Sequence, residues 1–227
     1  MTISRRVLFV LLAGLCAAEA VVAQEKSVKP GINKGYEKPD IEKIVKRFEN
    51  PERDVVKKQP EIVAACKLKK GMVVADVGAG TGLYTRVFAK KVLPKGKVIA
   101  VDITPEFIKH VLKTCEEQKI KNVSGVLCKP ASTELPKESV DVVFTCDTYH
   151  HFEFPFKMIA SIRESLREGG HWVIVDRKEA NGHVRADQKA VIKEVTSAGF
   201  ELVDQSLPTD RHSQMRFKKT TAVKGGS

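Results

Sequence analysis

The chain is poor in the residues that build disulfide scaffolds and nucleic-acid platforms. Only 5 of its 227 residues are cysteine, and none stand in a C-x-x-C pair. Cys16 falls in an N-terminal apolar run. Cys66, Cys115, Cys128 and Cys146 fall in helix-like segments or at strand ends, so free thiols are expected rather than a disulfide framework or a cysteine-built zinc site. Aromatic residues make up 6% of the chain, with one Trp, and they do not interleave with the lysines. Acids are outnumbered, 28 against 39 Lys and Arg, which leaves a net charge of +11. A surplus of that size can serve an anionic partner. Here the lysines are scattered in small groups such as Lys67/Lys69/Lys70 and Lys90/Lys91. That pattern is a solvated basic surface and argues against nucleic acid. Of six histidines, only His150 and His151 are adjacent. Neighbours on a chain point in different directions, so they are expected to be poor joint ligands, and no metal site is expected.

Long hydrophobic runs are missing too. Val7 to Ala18 is shorter than the ~20 residues of a membrane-spanning helix, so no transmembrane helix is expected in the mature chain. The run follows Arg5-Arg6, and Val21-Val22-Ala23 precedes Gln24. This is the pattern of a secretory signal peptide over residues 1–23, with an uncleaved anchor or a cytoplasmic chain as alternatives. Ser4-Arg5-Arg6-Val7-Leu8-Phe9 loosely matches a twin-arginine signal, a route that carries folded proteins. Leu15 stands where a small residue should precede a lipidated Cys16, which argues against a lipoprotein. Residues 24–38, polar with Pro30, Gly31 and Gly35, are expected to be a linker. Residues 39–219 form the expected domain, of which 39–70 make a helical cap, and 220–227 a tail.

The most informative stretch is Val73-Val74-Ala75-Asp76-Val77-Gly78-Ala79-Gly80-Thr81-Gly82. A short apolar run of this kind is a buried parallel strand. Alternating glycines then let the backbone turn sharply and lie against a ligand, and a helical pattern follows from Leu83 to Lys91. The dinucleotide fingerprint G-x-G-x-x-G needs a glycine at its sixth position. That position is Leu83, with Gly82 one residue early, so the spacing argues against NAD. A second strand, Val98 to Asp102, ends in an acid 20 residues after Gly82. Such an acid accepts hydrogen bonds from both ribose hydroxyls. It marks an adenosine site without choosing the cofactor.

Further along, Thr104-Pro105 opens a helix to about Gln118. Strands are expected at Asn122 to Cys128, Val140 to Cys146 and His171 to Val175. Helices are expected from Pro155 to Arg167, closed by Gly169-Gly170, and from Val184 to Ala198. Phe200 to Ser206 and His212 to Phe217 look like a closing strand pair. Strands alternating with helices imply a parallel sheet with right-handed crossovers. Asp141, at the far end of its strand, should be structural. Asp147, Tyr149, His150 and His151 follow that strand's carboxyl end, where open sheets bind ligands.

The segment D-x-G-x-G-x-G resembles motif I of the class I S-adenosylmethionine (SAM)-dependent methyltransferases of small-molecule type. The resemblance runs over roughly Phe48 to Phe217. Leu166-Arg-Glu-Gly-Gly-His-Trp-Val-Ile-Val-Asp176 resembles the family's post-motif-III segment. Asp147-Thr-Tyr-His-His-Phe152 and Asn50-Pro-Glu-Arg-Asp54 resemble segments of an exported bacterial subgroup. The resemblance implies an α/β, Rossmann-like fold: a mostly parallel seven-stranded sheet, helices on both faces and an N-terminal helical cap. It implies SAM as cofactor and a small-molecule acceptor, held by Asp76, Gly78, Ala79, Gly80, Thr81, Gly82, Asp102, Ile103 and Asp147. The family often places an acid after the third strand to meet adenine. Here Ser132 is the best match, with Glu134 a substitute. His150 or His151, and less so Tyr149, could act as general base; the alternative is that they shape the pocket. A non-catalytic nucleoside-binding protein and an NAD-dependent oxidoreductase are the competing readings.

Overall fold

The computed structural model describes residues 24–206 and 208–220. The expected signal peptide, Cys16 and most of the tail lie outside those residues. Apolar strand runs set the framework. Strand β1 (Val73–Val77) pairs in parallel with β2 (Lys97–Asp102) and with β4 (Val140–Cys146). β3 (Val123–Leu127) flanks β2, and β5 (Leu166–Arg177) flanks β4, both in parallel. β7 (His212–Lys219) and β6 (Phe200–Ser206) close the sheet as an antiparallel pair, in the order β3-β2-β1-β4-β5-β7-β6. This is the Rossmann-like seven-stranded fold the sequence implied.

Side-chain alternation along the strands divides the core into two layers. Val173 and Val175 of β5 join Phe144 and Val142 of β4 on one face. Helices α3 (Gln59–Ala65) and α4 (Leu83–Lys91) cover that face with Ile62, Phe88 and Tyr84. Trp172 and Ile174 point the other way, onto Ile159 and Ile162 of α6 (Pro155–Ser165) and Val191 and Val195 of α7 (Gln188–Ser197). Helix α5 (Pro105–Glu117) packs Val111 and Cys115 on Ala100 of β2. Two short helices complete the cap, α1 (Ile41–Phe48) and α2 (Asp54–Lys57). Asp40 caps α1 by accepting from the Lys43 N–H at 3.1 Å. Among the described residues, no helix is long and apolar enough to cross a membrane.

Several boundaries differ from the sequence reading. The helix expected to run to Arg167 stops at Ser165, and Leu166, fully buried, already opens β5. Gly170 is part of that strand; a Cβ there would lie 2.9 Å and 3.0 Å from the carbonyls of Arg167 and Asp141. α7 begins at Gln188 rather than Val184, because Asp187 caps it through the Ala190 N–H at 2.8 Å. The expected linker contains a 3-10 turn, Lys34–Tyr36, and lies across the sheet's carboxyl edge. At the opposite edge, Asp141 accepts from the Val73 N–H at 2.7 Å and pairs with Arg167 at 2.9 Å, the structural role expected of it.

Phe144 is fully buried between Tyr84 and Phe88, with centroids 4.7 Å and 4.9 Å away. Phe144→Ala should therefore cost about 3–5 kcal/mol in denaturant unfolding. A loss under about 1 kcal/mol would show that this layer is not close-packed.

Candidate functional site

The carboxyl ends of β1, β2 and β4 open into a two-lobed cleft. The first lobe centres on Asp102, Ile103, Thr104 and Phe107, with Gly78 and Gly80. Asp102 is 5% exposed. Its carboxylate accepts from the Gly80 N–H at 2.9 Å and from the Thr104 N–H at 2.9 Å. Burial pushes this carboxyl up to about 6, although both N–H bonds oppose the shift. The glycine loop hangs from β2: the Gly78 and Ala79 N–H groups donate to the Val101 carbonyl at 2.8 Å and 3.1 Å. Gly78 has φ +76°, and a Cβ there would lie 2.2 Å from the Thr148 side chain. Gly80 has φ +53°, and its missing Cβ faces the Phe48 ring at 3.4 Å.

The second lobe, about 530 Å³, takes in Asp76, Ala79, Thr81, Asp147, Arg177 and the histidines. Asp76 accepts from the Thr85 hydroxyl at 2.6 Å, and burial pushes it up to about 7. Asp147 has φ +49°. Its carboxylate meets Arg53 at 2.6 Å, His212 at 2.9 Å and Arg177 at 3.5 Å. Burial alone would raise it; the His212 hydrogen bond and the Arg177 and Arg53 guanidiniums outweigh that and hold it at about 2. Arg53 also donates to the Phe48 carbonyl at 2.7 Å, which fixes the cap over Gly80.

His150 and His151 occupy a 3-10 turn, Tyr149–His151, after β4. The expectation that these neighbours point in different directions is corrected: the tight turn brings their rings together, tilted by 42°, with centroids 4.4 Å apart. His150 Nδ1 lies 2.7 Å from the Asp176 carboxylate, and His151 Nδ1 lies 3.1 Å from the Asn33 side-chain oxygen. His183 joins them, its centroid 5.3 Å and 5.0 Å from the two. Burial first, then the neighbouring histidines, pushes His151 down to about 3. Burial thus favours its neutral form.

Three expected site residues lie elsewhere. Tyr149 is fully buried under the sheet, and its hydroxyl donates to Glu194 at 2.6 Å. Gly82 faces α5, where a Cβ would lie 2.8 Å from Val111; it closes the loop behind the cleft. Ser132 turns back to accept from the Glu134 N–H at 3.1 Å, while Cys128, Lys129 and Pro130 line the first lobe instead. Glu134 is exposed and paired with Lys129 at 3.0 Å. Conversely, Asn33, Tyr36, Arg53, Arg177 and His183 line the cleft without a sequence signal of their own, except that Arg53 belongs to the cap segment already singled out.

A family model described as a methyltransferase domain matches residues 68–219. Phosphoethanolamine N-methyltransferase 1 of Triticum aestivum is 35% identical over 138 residues, 58% of this chain and 26% of that protein. Protein-L-isoaspartate O-methyltransferase of Methanothrix thermoacetophila is 30% identical over 110 residues, 47% of this chain and 48% of that protein. Those matches span between a quarter and a half of the relatives' lengths. A SAM-dependent methyltransferase structure from Aquifex aeolicus superposes with a TM-score of 0.71 at 24% identity, over 79% of this chain and 98% of that one. That likeness shows the fold.

Asp147 generates a prediction in acid. Its folded value, about 2, lies below the ordinary 3.8. Its stabilisation is therefore present above 3.8 and is lost as pH falls through about 2. Acid unfolding followed by circular dichroism should show this loss in the wild type. Asp147→Asn should flatten that part of the profile. An unchanged profile would contradict the ion-pair assignment.

Proposed function

The chain belongs to the methyltransferase-domain family, and from that membership we propose that it transfers a methyl group from SAM to a small acceptor held beneath residues 24–38, a strap across the cleft. The observation that carries this is Asp102, a buried acid at the end of β2 whose carboxylate borders the cleft while gripping the glycine loop through Gly80. That pair of acceptors fits a ribose diol, since each carboxylate oxygen keeps a lone pair beyond its backbone bond. When bound, SAM supplies an electrophilic methyl carbon on its sulfonium.

The chain's own residues then do three things. Asp102 takes the ribose hydroxyls. Gly78 and Gly80, lacking a Cβ, let the backbone approach the amino-acid part, with Asp76 behind the loop. Asn33 and Tyr36 cover the cleft and exclude water. Orientation of this kind contributes about 7–11 kcal/mol to such reactions. Placement is the main contribution in this reading, with His151 held toward its neutral form by burial. The second lobe, about 530 Å³, falls within the roughly 300–1,000 Å³ of small-molecule sites. The wheat relative, named for phosphoethanolamine, supports a small acceptor; the archaeal relative, named for a protein residue, supplies the competing case. Incubation with methyl-labelled SAM separates them, since label in small molecules supports the proposal and label in protein contradicts it.

The proposal includes export. Arg5-Arg6 ahead of the apolar run and Val21-Val22-Ala23 before Gln24 support removal of residues 1–23. Export with SAM already bound is consistent with the cofactor's cytosolic origin and with a twin-arginine route. Mass spectrometry of the chain from its native host should find Gln24 at the N-terminus. A cytosolic chain starting at Met1 would contradict export.

Calorimetry should show SAM binding and no tighter binding of NAD. Asp102→Asn should weaken SAM by about 1.5–3 kcal/mol, the range for hydrogen bonds to a charged group. Ribose hydroxyls favour the ionised carboxylate, so affinity should fall as pH drops through about 6, the folded value of Asp102. That slope should vanish in Asp102→Asn. A wild-type affinity flat across this range would remove Asp102 from the site.

A further inference from the structure

The three histidines at the acceptor end have a chemistry that methyl transfer alone does not use. One ring nitrogen from each of His150, His151 and His183 lies within 4.8 Å of one from each of the others. Two nitrogens bound about 2.1 Å from one tetrahedral ion stand about 3.4 Å apart. His183 is exposed, so its ring can turn toward the other two. The two inner rings are oriented from behind. The Asp176 carboxylate holds His150 Nδ1 at 2.7 Å, so Nδ1–H donates and Nε2 keeps its lone pair. The Asn33 oxygen does the same for His151 at 3.1 Å. A carboxylate or carbonyl behind a ring nitrogen is the outer arrangement of metal-bound histidines. The His183 loop is built as well. Asn181 accepts from the His183 and Val184 N–H groups at 2.8 Å and 2.9 Å. Lys29 of the strap donates to the Gly182 and His183 carbonyls at 2.7 Å and 2.6 Å.

We propose that His150, His151 and His183 bind a divalent first-row transition metal, Zn²⁺ foremost, with an open coordination position toward the cleft. Three neutral imidazoles without a thiolate suit Zn²⁺ and its neighbours in the series rather than Mg²⁺ or Ca²⁺. Three protein ligands leave the fourth position for a bound molecule. The site thus selects an acceptor with a heteroatom donor, a hydroxyl, thiol or amine, and fixes it near the methyl group. That acceptor assignment rests on the methyl-transfer reading; the metal site does not.

The test uses the untagged full chain, stripped with chelator and titrated with Zn²⁺ by calorimetry and elemental analysis. One Zn²⁺ per chain is expected. Loading with Co²⁺ should give the visible absorption of a four-coordinate centre. His183→Ala, at an exposed position that spares the fold, should abolish that absorption and weaken Zn²⁺ more than Asp176→Asn does. Asp176→Asn should cost about 10–100-fold. Circular dichroism checks that both variants fold. Failure to reach one Zn²⁺ per chain, or equal Zn²⁺ affinity in wild type and both variants, would overturn the site and leave the histidines as a stacked cluster. A chain that binds Zn²⁺ through His183 but not SAM would contradict methyl transfer alone. A chain that binds SAM but not Zn²⁺ would contradict the metal site alone.

Discussion

One carboxylate, that of Asp147, connects the parts of the molecule that make a cleft. It stands in the left-handed region directly after β4. There it binds Arg53 from the cap, Arg177 from the end of β5 and His212 from the start of β7. Through Arg53 it holds Phe48, whose ring lies under Gly80 and beside Tyr36 and Phe107. Through the same turn it sets Thr148 against Gly78. An acid with two guanidiniums and a histidine hydrogen bond in a mostly buried place stays ionised. Removing any one partner leaves charge poorly compensated there, which costs more than the pair contributes.

The cleft is electrostatically divided. Asp76 and Asp102 sit under the glycine loop with carboxyls raised by burial, ready for a ligand that brings donors or positive charge. A SAM ammonium, sulfonium and ribose diol together present both. The other end carries Arg177 and the three histidines, with Asp176 behind His150. A cofactor that is cationic and an acceptor that carries a heteroatom are thereby directed to opposite ends.

Much of this was legible in the chain. The apolar runs ending in Val77, Asp102 and Cys146 located three central strands, because buried parallel strands need no alternation. Asp102 was legible because strand, glycine loop and acid lie in one crossover. The helix-strand boundary at Ser165 was not, since Gly169-Gly170 is equally suited to a helix end and to close strand approach. Residues 24–38 were read as a linker because the contacts that seat them on the cleft are long-range: Asn33 to His151, Tyr36 to Phe107, Lys29 to His183. His183 gave no signal, as it reaches the other histidines only through the loop after β5. Tyr149 was misplaced because a 3-10 turn sends its side chain into the core, against Glu194, while the next two line the cleft.

The most direct measurement is a crystal structure of the full chain with S-adenosylhomocysteine, whose thioether sulfur marks where the methyl group leaves. The account predicts both ribose hydroxyls on the Asp102 carboxylate and the sulfur facing His151 and His183. Adenosine bound away from Asp102, or a sulfur turned from the histidine end, would contradict it.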